Sequence, residues 1–131
     1  VSLGALDMVN FGPRETVPAE FEERNLYVHN AQVTLMRTTP AESASLGEEI
    51  ARKLSASTGP VALFVPLGGI SMIATPGGPF YDAAADEALF AAVREHAGSN
   101  VELVELETDI NDPAFADAMV AKLHGYVGGA A

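Results

Sequence analysis

The sequence predicts an α/β fold, a three-layer sandwich in which helices cover a mostly parallel, Rossmann-like sheet. The first observation is the uninterrupted apolar run 61–65, which is bounded by Pro60 and Pro66 and is typical of a strand covered on both faces. The second is that strand and helix patterns alternate after this run, which favours right-handed crossovers between parallel strands. Ligands of such folds bind at the carboxyl ends of the strands, so we expect the site there.

The elements after this central strand follow from caps and apolar spacing. Asp82 is the predicted cap of a helix that runs to about residue 97 and ends before Gly98. Residues 101–106 are predicted to form the next strand, and Asp112 followed by proline is typical of a helix start. The apolar side chains of this last helix recur at helical spacing and are expected in the core: Phe115, Ala116, Met119, Val120, Leu123 and Val127.

The first half of the chain is less regular. Residues 4–24 show no clean period and are expected to form an ordered loop region. The segments 26–29 and 33–36 are short strand candidates, and we expect at most one of them to join a sheet. A helix is predicted from residue 40 to about residue 57, and its apolar face comprises Leu46, Ile50 and Leu54.

Length and composition limit the function. A chain of 131 residues fits one domain, 1–131, and no apolar run approaches the roughly 18 residues that span a bilayer. The 18 acidic and 7 basic side chains give a formal charge of −11, which would repel a nucleic-acid backbone. The absence of cysteine excludes disulfides and thiolate chemistry, and no secretory leader pattern is visible. We therefore expect a cytoplasmic domain that binds neither membranes nor nucleic acids.

The first candidate for ligand binding is the point where an apolar segment runs into Arg37 and then directly into a helix start. The unpaired N–H groups and partial positive charge of a helix amino end suit an anion, to which Arg37, Thr38 and Thr39 would add a guanidinium and two hydroxyls. The alternative, which the local pattern favours, is an ordinary capping box from Thr39 to Glu42 with Pro40 at the first helical position.

The second candidate follows the central strand. Gly68 and Gly69 permit positive φ and the close approach of an anionic ligand, and Ser71 would add a hydroxyl. The pattern contains neither a Walker motif nor the dinucleotide fingerprint. A plain turn is the favoured alternative for this segment.

Four further polar residues complete the candidate set. Asp7 and Asn10 can position a ribose, an amide or Mg²⁺, but they can equally satisfy the backbone of their own loop. His29, beside Asn30, has the chemistry of a general acid or base, although a histidine at a strand end is more often structural. No nucleophile and base at triad spacing and no metal-ligand pair is visible, so the sequence predicts no metal site and leaves enzymatic activity open.

Three longer stretches resemble one known family: GALDMVNFGP at 4–13, VHNAQVTLMRTTP at 28–40 and NDPAFADAMV at 111–120. They are similar to the bacterial and plant family labelled Tm-one-like ATP-binding proteins, the family of the tomato mosaic virus resistance protein. The resemblance implies a longer protein of two Rossmann-like subdomains that is associated with ATP. This chain resembles only the carboxy-terminal part, so the resemblance also implies a missing amino-terminal subdomain as a partner.

Two functions remain open at this point. In the first, the chain contributes half of a site for a nucleotide, ATP by the family resemblance, or for another small phosphorylated metabolite. Mg²⁺ is a weaker expectation for such a site. In the second, the chain is a protein-interaction and oligomerisation module without catalysis of its own, which packs on the missing subdomain or on a second copy as a homo-oligomer.

Overall fold

The computed structural model describes residues 1–128 and shows a mixed α/β domain with two small sheets. Two short 3₁₀ turns, Arg14–Thr16 and Ala19–Phe21, lie between the first two strands. Among the described residues, no helix is long and apolar enough to cross a membrane. The strands and helices, numbered in chain order, are β1 (Met8–Phe11), β2 (Leu26–Asn30), β3 (Val33–Arg37), α1 (Pro40–Ser55), β4 (Val61–Pro66), α2 (Ala83–His96), β5 (Val101–Leu106) and α3 (Pro113–Gly128).

The first sheet is an antiparallel ribbon with the strand order β1-β3-β2. The expectation that at most one of the segments at 26–36 joins a sheet was wrong, because β2 and β3 pair with each other. Their connection has only two residues between Asn30 and Val33, and such a short connection joins antiparallel strands readily. Within the expected loop region, β1 forms a further strand, which pairs with the other edge of β3.

The second sheet is the parallel pair of β4 and β5, in register from Val61 opposite Val101 to Pro66 opposite Leu106. The chain start continues this pairing on the other edge of β4, where Ser2 bridges Phe64 in parallel. A three-layer Rossmann-like sandwich over a mostly parallel sheet is not confirmed. The first half of the chain forms an antiparallel ribbon, so the described residues provide only a narrow parallel sheet.

The two faces of this parallel pair carry different helices. Leu63 and Val65 belong to the main core, which includes Leu89, Phe90 and Val93 of α2 and the predicted apolar face of α1. Ala62 and Phe64 point to α3, where the ring of Phe115 meets that of Phe64 at 6.0 Å in an edge-on arrangement. Alternation along β4 therefore gives each face its own helices, as expected for a covered strand.

The predicted helix starts are confirmed by their caps. The Oγ1 atom of Thr39 accepts from the N–H of Glu42 at 3.2 Å while the Glu42 carboxylate accepts from the N–H of Thr39 at 2.7 Å, a complete capping box. Asp82 caps α2 by accepting from the N–H of Ala85 at 3.0 Å. Asp112 accepts from the N–H of Ala114 at the start of α3.

The expectation that the whole apolar set of α3 lies in the core was wrong. Phe115 is fully buried and Met119 is half-buried, but Val120, Leu123 and Val127 are 66%, 62% and 69% exposed. The helix is apolar on more than one side, and the narrow sheet covers only one of them. One apolar face of α3 is therefore left at the surface of the described domain.

Candidate functional site

Arg37 lies in the interior of the domain, where it is only 3% exposed. Its Nε atom donates to the carbonyl of Phe80 at 2.8 Å, Nη1 donates to Oγ1 of Thr38 at 2.9 Å, and Nη2 donates to Oδ1 of Asp86 at 2.6 Å. The guanidinium thus joins the end of β3 to the start of α2. These internal partners take up the donors that the sequence hypothesis assigned to an anionic ligand.

Asp86, the acidic partner, is mostly buried at the same junction. Burial raises the pKa of the Asp86 carboxyl, the charge of Arg37 opposes this rise, and the neighbouring carboxylates of Asp7 and Asp82 add to it. The pair is a tie between two elements, and its energetics are dominated by the removal of both charges from water.

The amino end of α1 holds a carboxylate of the chain itself. Glu42 accepts from the backbone of Thr39 and is held by the guanidinium of Arg24, whose Nη2 lies 2.6 Å from Oε2. The hydrogen bonds from Arg24 and Thr39 lower the pKa of Glu42. The neighbouring Thr38 is buried and donates to the carbonyl of Leu6. The capping-box alternative is therefore what the structure shows at this helix start.

Gly68 and Gly69 lie against the segment that follows β5. Gly68 donates to the carbonyl of Thr108 at 2.9 Å, and the carbonyl of Gly69 accepts from Ile110 at 3.0 Å. A Cβ on Gly68 would stand 2.7 Å from the carbonyl carbon of Thr108, and Gly69 has a φ of +147°. The close approach that these glycines permit is made in this structure by the chain itself.

Arg37 and Gly68 nevertheless border the same region. Asp86, which binds Arg37, lines a cavity of about 360 Å³ together with Gly68 and Arg94, beyond the carboxyl ends of β4 and β5. Arg94 is itself paired with Glu87 and Glu105. The two sequence candidates therefore meet at one edge of the parallel pair through Asp86.

A second cavity, which we name the ribbon cavity, collects four of the predicted site residues. It has a volume of about 520 Å³ and lies between one face of the antiparallel ribbon and residues 71–73. Its polar lining consists of Asn10, His29, Asn30 and Ser71, and its apolar lining consists of Met8, Val33, Leu35, Met72 and Ile73.

The strand register explains why these side chains meet. Asn10 lies opposite Leu35 and Met8 lies opposite Arg37, and directly opposed residues of neighbouring strands share a face of a sheet. Arg37 follows Leu35 by two residues on that face, a separation of roughly 7 Å along the strand. The ribbon thus presents the cavity at one end and the buried Arg37 at the other.

A buried pair beneath the ribbon cavity was not visible in the sequence. The hydroxyl of Ser71 donates to Oδ2 of Asp7 at 2.7 Å, and Asp7 is fully buried. The other oxygen, Oδ1, has no hydrogen-bond partner among the described residues. Asp7 and Ser71 are 64 residues apart, so no local spacing indicates their contact. A serine and a carboxylate base do meet in this domain, which the search for a triad pattern missed.

The sequence of this domain matches the carboxy-terminal domain of the uncharacterised protein family UPF0261 over residues 1–127. The chain belongs to this family. It is 52% identical to a UPF0261 protein of Clostridium tetani over 124 residues, which are 94% of this chain and 31% of that protein. It is 48% identical to a UPF0261 protein of Rhizobium meliloti over 92% of this chain and 31% of that protein.

A plant relative confirms the resemblance seen in the three sequence stretches. The chain is 41% identical to the ToMV resistance protein Tm-1(GCR237) of Solanum lycopersicum over 92% of its own length, which is 16% of the tomato protein. This UPF0261 domain therefore spans about a third of the length of the two bacterial relatives, whose alignments cover 31% of each protein.

Proposed function

We propose that the ribbon cavity is a binding site for a small anionic metabolite, a nucleotide such as ATP or another phosphorylated compound. The observation that carries this proposal is the convergence of Asn10, His29, Asn30 and Ser71, from β1, β2 and the loop after β4, on one cavity of about 520 Å³. Small-molecule sites are commonly 300–1,000 Å³, mostly apolar, and oriented by a few polar groups. The ribbon cavity has this composition.

The lining suits a ligand with a polar and an apolar part. Asn30 accepts from the N–H of Gln32 through Oδ1, so its amide N–H₂ group is the part offered to a ligand. The imidazole of His29 and the amide of Asn10 provide further donors for phosphate or hydroxyl oxygens. The side chains of Val33 and Leu35 form an apolar wall for a ring or an acyl chain.

The remaining predicted residues have a supporting role in this proposal. Arg37 and Thr38 fix the far end of the ribbon by internal hydrogen bonds, and Thr39 caps α1. Gly68 and Gly69 hold the loop that carries Ser71 against residues 108–110. Mg²⁺ would enter only with a phosphorylated ligand, whose oxygens would supply part of its coordination.

The test is calorimetry on the full-length protein with ATP, ADP and inorganic phosphate. His29→Ala and Asn10→Ala each remove a donor and are expected to weaken binding by roughly 10- to 100-fold, the range for a hydrogen bond to a charged group. His96→Ala is the matched control, because His96 is an exposed histidine in the last turn of α2. Unchanged affinity in both cavity variants, or no binding of the three ligands by the wild-type protein, would overturn the proposal.

A second function rests on the exposed face of α3. Ala116, Val120, Leu123 and Val127 recur at intervals of four, three and four residues and form a continuous apolar stripe. Beside it, Leu123 lines an open groove of about 370 Å³ with Val1 and Val61. We infer that the amino-terminal portion of the longer protein covers this surface, since the aligned relatives have about two thirds of their length outside the matched region. In that assembly β4 and β5 would belong to a larger, Rossmann-like parallel sheet.

This interface is tested with Leu123→Asp in the full-length protein, and Ala91→Asp, on the exposed side of α2, is the matched control. If the stripe packs on the amino-terminal portion, Leu123→Asp should make the junction between the two portions sensitive to limited proteolysis, and the control should not. A change from oligomer to monomer by light scattering, without such sensitivity, would assign the stripe to a second copy instead. Identical behaviour of both variants would remove the proposed interface.

A further inference from the structure

We propose that Ser71 is a nucleophile and that Asp7 accepts its proton, so that the ribbon cavity supports acyl transfer from an activated carboxylic ester. The proposal starts from the 2.7 Å hydrogen bond from the Ser71 hydroxyl to Oδ2 of Asp7. Because this bond directs the hydroxyl proton to the carboxylate, the lone pairs of Oγ are left for other partners. Ser71 lines the ribbon cavity, whereas Asp7 is fully buried behind it. This is the order in which a nucleophile and its base must stand relative to a substrate.

The isolation of Asp7 supports a chemical role over a purely structural one. Oδ1 of Asp7 is buried and has no partner among the described residues, so a single hydroxyl is the acceptor's only donor there. A buried carboxylate that only ties a loop together is normally satisfied on both oxygens, because an unpaired buried oxygen is costly. Such unsatisfied groups concentrate where function requires them.

The backbone beside Ser71 supplies the second half of the chemistry. Within residues 1–128, none of the N–H groups of Ser71, Met72 and Ile73 donates to a backbone carbonyl. All three residues line the ribbon cavity. Unpaired amides next to a nucleophile are the usual donors to the oxyanion that develops during acyl transfer. The loop is held by the hydrogen bonds of Gly68 and Gly69 to residues 108–110, which fixes these groups before substrate arrives.

The reaction balances with these groups alone. The Oγ atom of Ser71 attacks the carbonyl carbon of the ester, and the hydroxyl proton passes to Oδ2 of Asp7. The bond between the carbonyl carbon and the leaving oxygen then breaks, and the proton on Asp7 is transferred to that leaving oxygen. Water, deprotonated in turn by Asp7, attacks the acyl-Ser71 ester, releases the carboxylic acid and restores the hydroxyl.

The test is covalent labelling of the full-length protein with a fluorophosphonate probe, followed by peptide mapping. The phosphonyl–oxygen bond forms at Ser71, fluoride leaves, and the mass of one peptide rises by one probe. We expect stoichiometric labelling at Ser71 and none at the exposed Ser57 and Ser99, which serve as internal controls. Labelling should be lost in Ser71→Ala and be at least tenfold slower in Asp7→Asn, which keeps the shape of the side chain but cannot take the proton.

Outcomes in the wild-type protein decide the proposal even if a variant fails to fold. Absence of a probe adduct at Ser71, or equal labelling of Ser71 and the exposed serines, would overturn it. So would a folded Asp7→Asn protein that reacts at the wild-type rate. Because labelling does not depend on ATP or phosphate, this result is independent of the calorimetric test of ligand binding: a labelled protein that binds no phosphorylated ligand retains the nucleophile and loses only the proposed function.

Discussion

The Nη2 atom of Arg37 and Oδ1 of Asp86 lie 2.6 Å apart although 49 residues separate them in the chain. This ion pair connects the last residue of β3 to the first turn of α2, and the side chains of both residues are nearly buried. It is the point at which the antiparallel ribbon, which forms the ribbon cavity, is fixed to the helices that cover β4. The stability of the cavity should therefore depend on it.

Removal of one member of this pair is expected to be severe. Arg37→Met leaves the Asp86 carboxylate buried without its cation and should lower the free energy of unfolding by about 3–5 kcal/mol. Arg52→Met is the control, because Arg52 pairs with Glu49 on the exposed side of α1 and should cost less than about 1 kcal/mol. Urea unfolding measures both. A loss below 1 kcal/mol for Arg37→Met would contradict the role of this tie.

Glu42 should make stability depend on pH in a defined direction. Its pKa is lowered from the ordinary value of 4.5 by hydrogen bonds from Arg24 and Thr39, so the native state favours the ionised form. The resulting stabilisation is fully present above pH 4.5 and is lost as pH falls through the lowered pKa. Glu42→Gln should therefore cost on the order of 1 kcal/mol at neutral pH and nothing in strong acid. Parallel stability curves of the two proteins across this pH range would refute the assignment.

Gly68 is predicted to be intolerant of even one added methyl group. In Gly68→Ala the Cβ would stand 2.7 Å from the carbonyl carbon of Thr108 and 2.8 Å from the backbone nitrogen of Asp109, and neither can turn away as a side chain would. We expect a loss of about 1–3 kcal/mol by urea unfolding. Gly125→Ala meets no atom within 4 Å and lies in a helix, so it should be neutral or stabilising by up to about 1 kcal/mol. Equal stability of the two alanine variants would show that the segments approach less closely.

The two sides of α3 should respond differently to truncation. Phe115 is fully buried against Phe64, and Phe115→Ala should cost about 3–5 kcal/mol in thermal or urea unfolding. Leu123 is 62% exposed, and Leu123→Ala in the isolated domain should change stability by less than about 0.5 kcal/mol. A large loss for Leu123→Ala in the full-length protein, together with a small one in the isolated domain, would be direct support for an interface on the apolar stripe.

Local patterns were sufficient for the helices and for the parallel pair. The capping box from Thr39 to Glu42, the cap at Asp82 and the apolar run of β4 depend on neighbours within a few residues, and each is where the pattern placed it. The antiparallel ribbon was less accessible, because β1 has only four residues and its pattern is set by pairing with β3. Short strands carry too few positions for their period to be distinguished from that of a loop.

The sequence by itself determined the mixed α/β class, the family, the helix boundaries and the polar residues that merit attention, since these depend on residue chemistry and short-range geometry. Only the tertiary structure decided what those polar residues touch. It buried Arg37 on Asp86, brought Ser71 to Asp7 across 64 residues, and left one side of α3 without cover. Contacts between distant segments are selected by the burial of surface and the pairing of buried charges, and no periodicity within one segment carries that information.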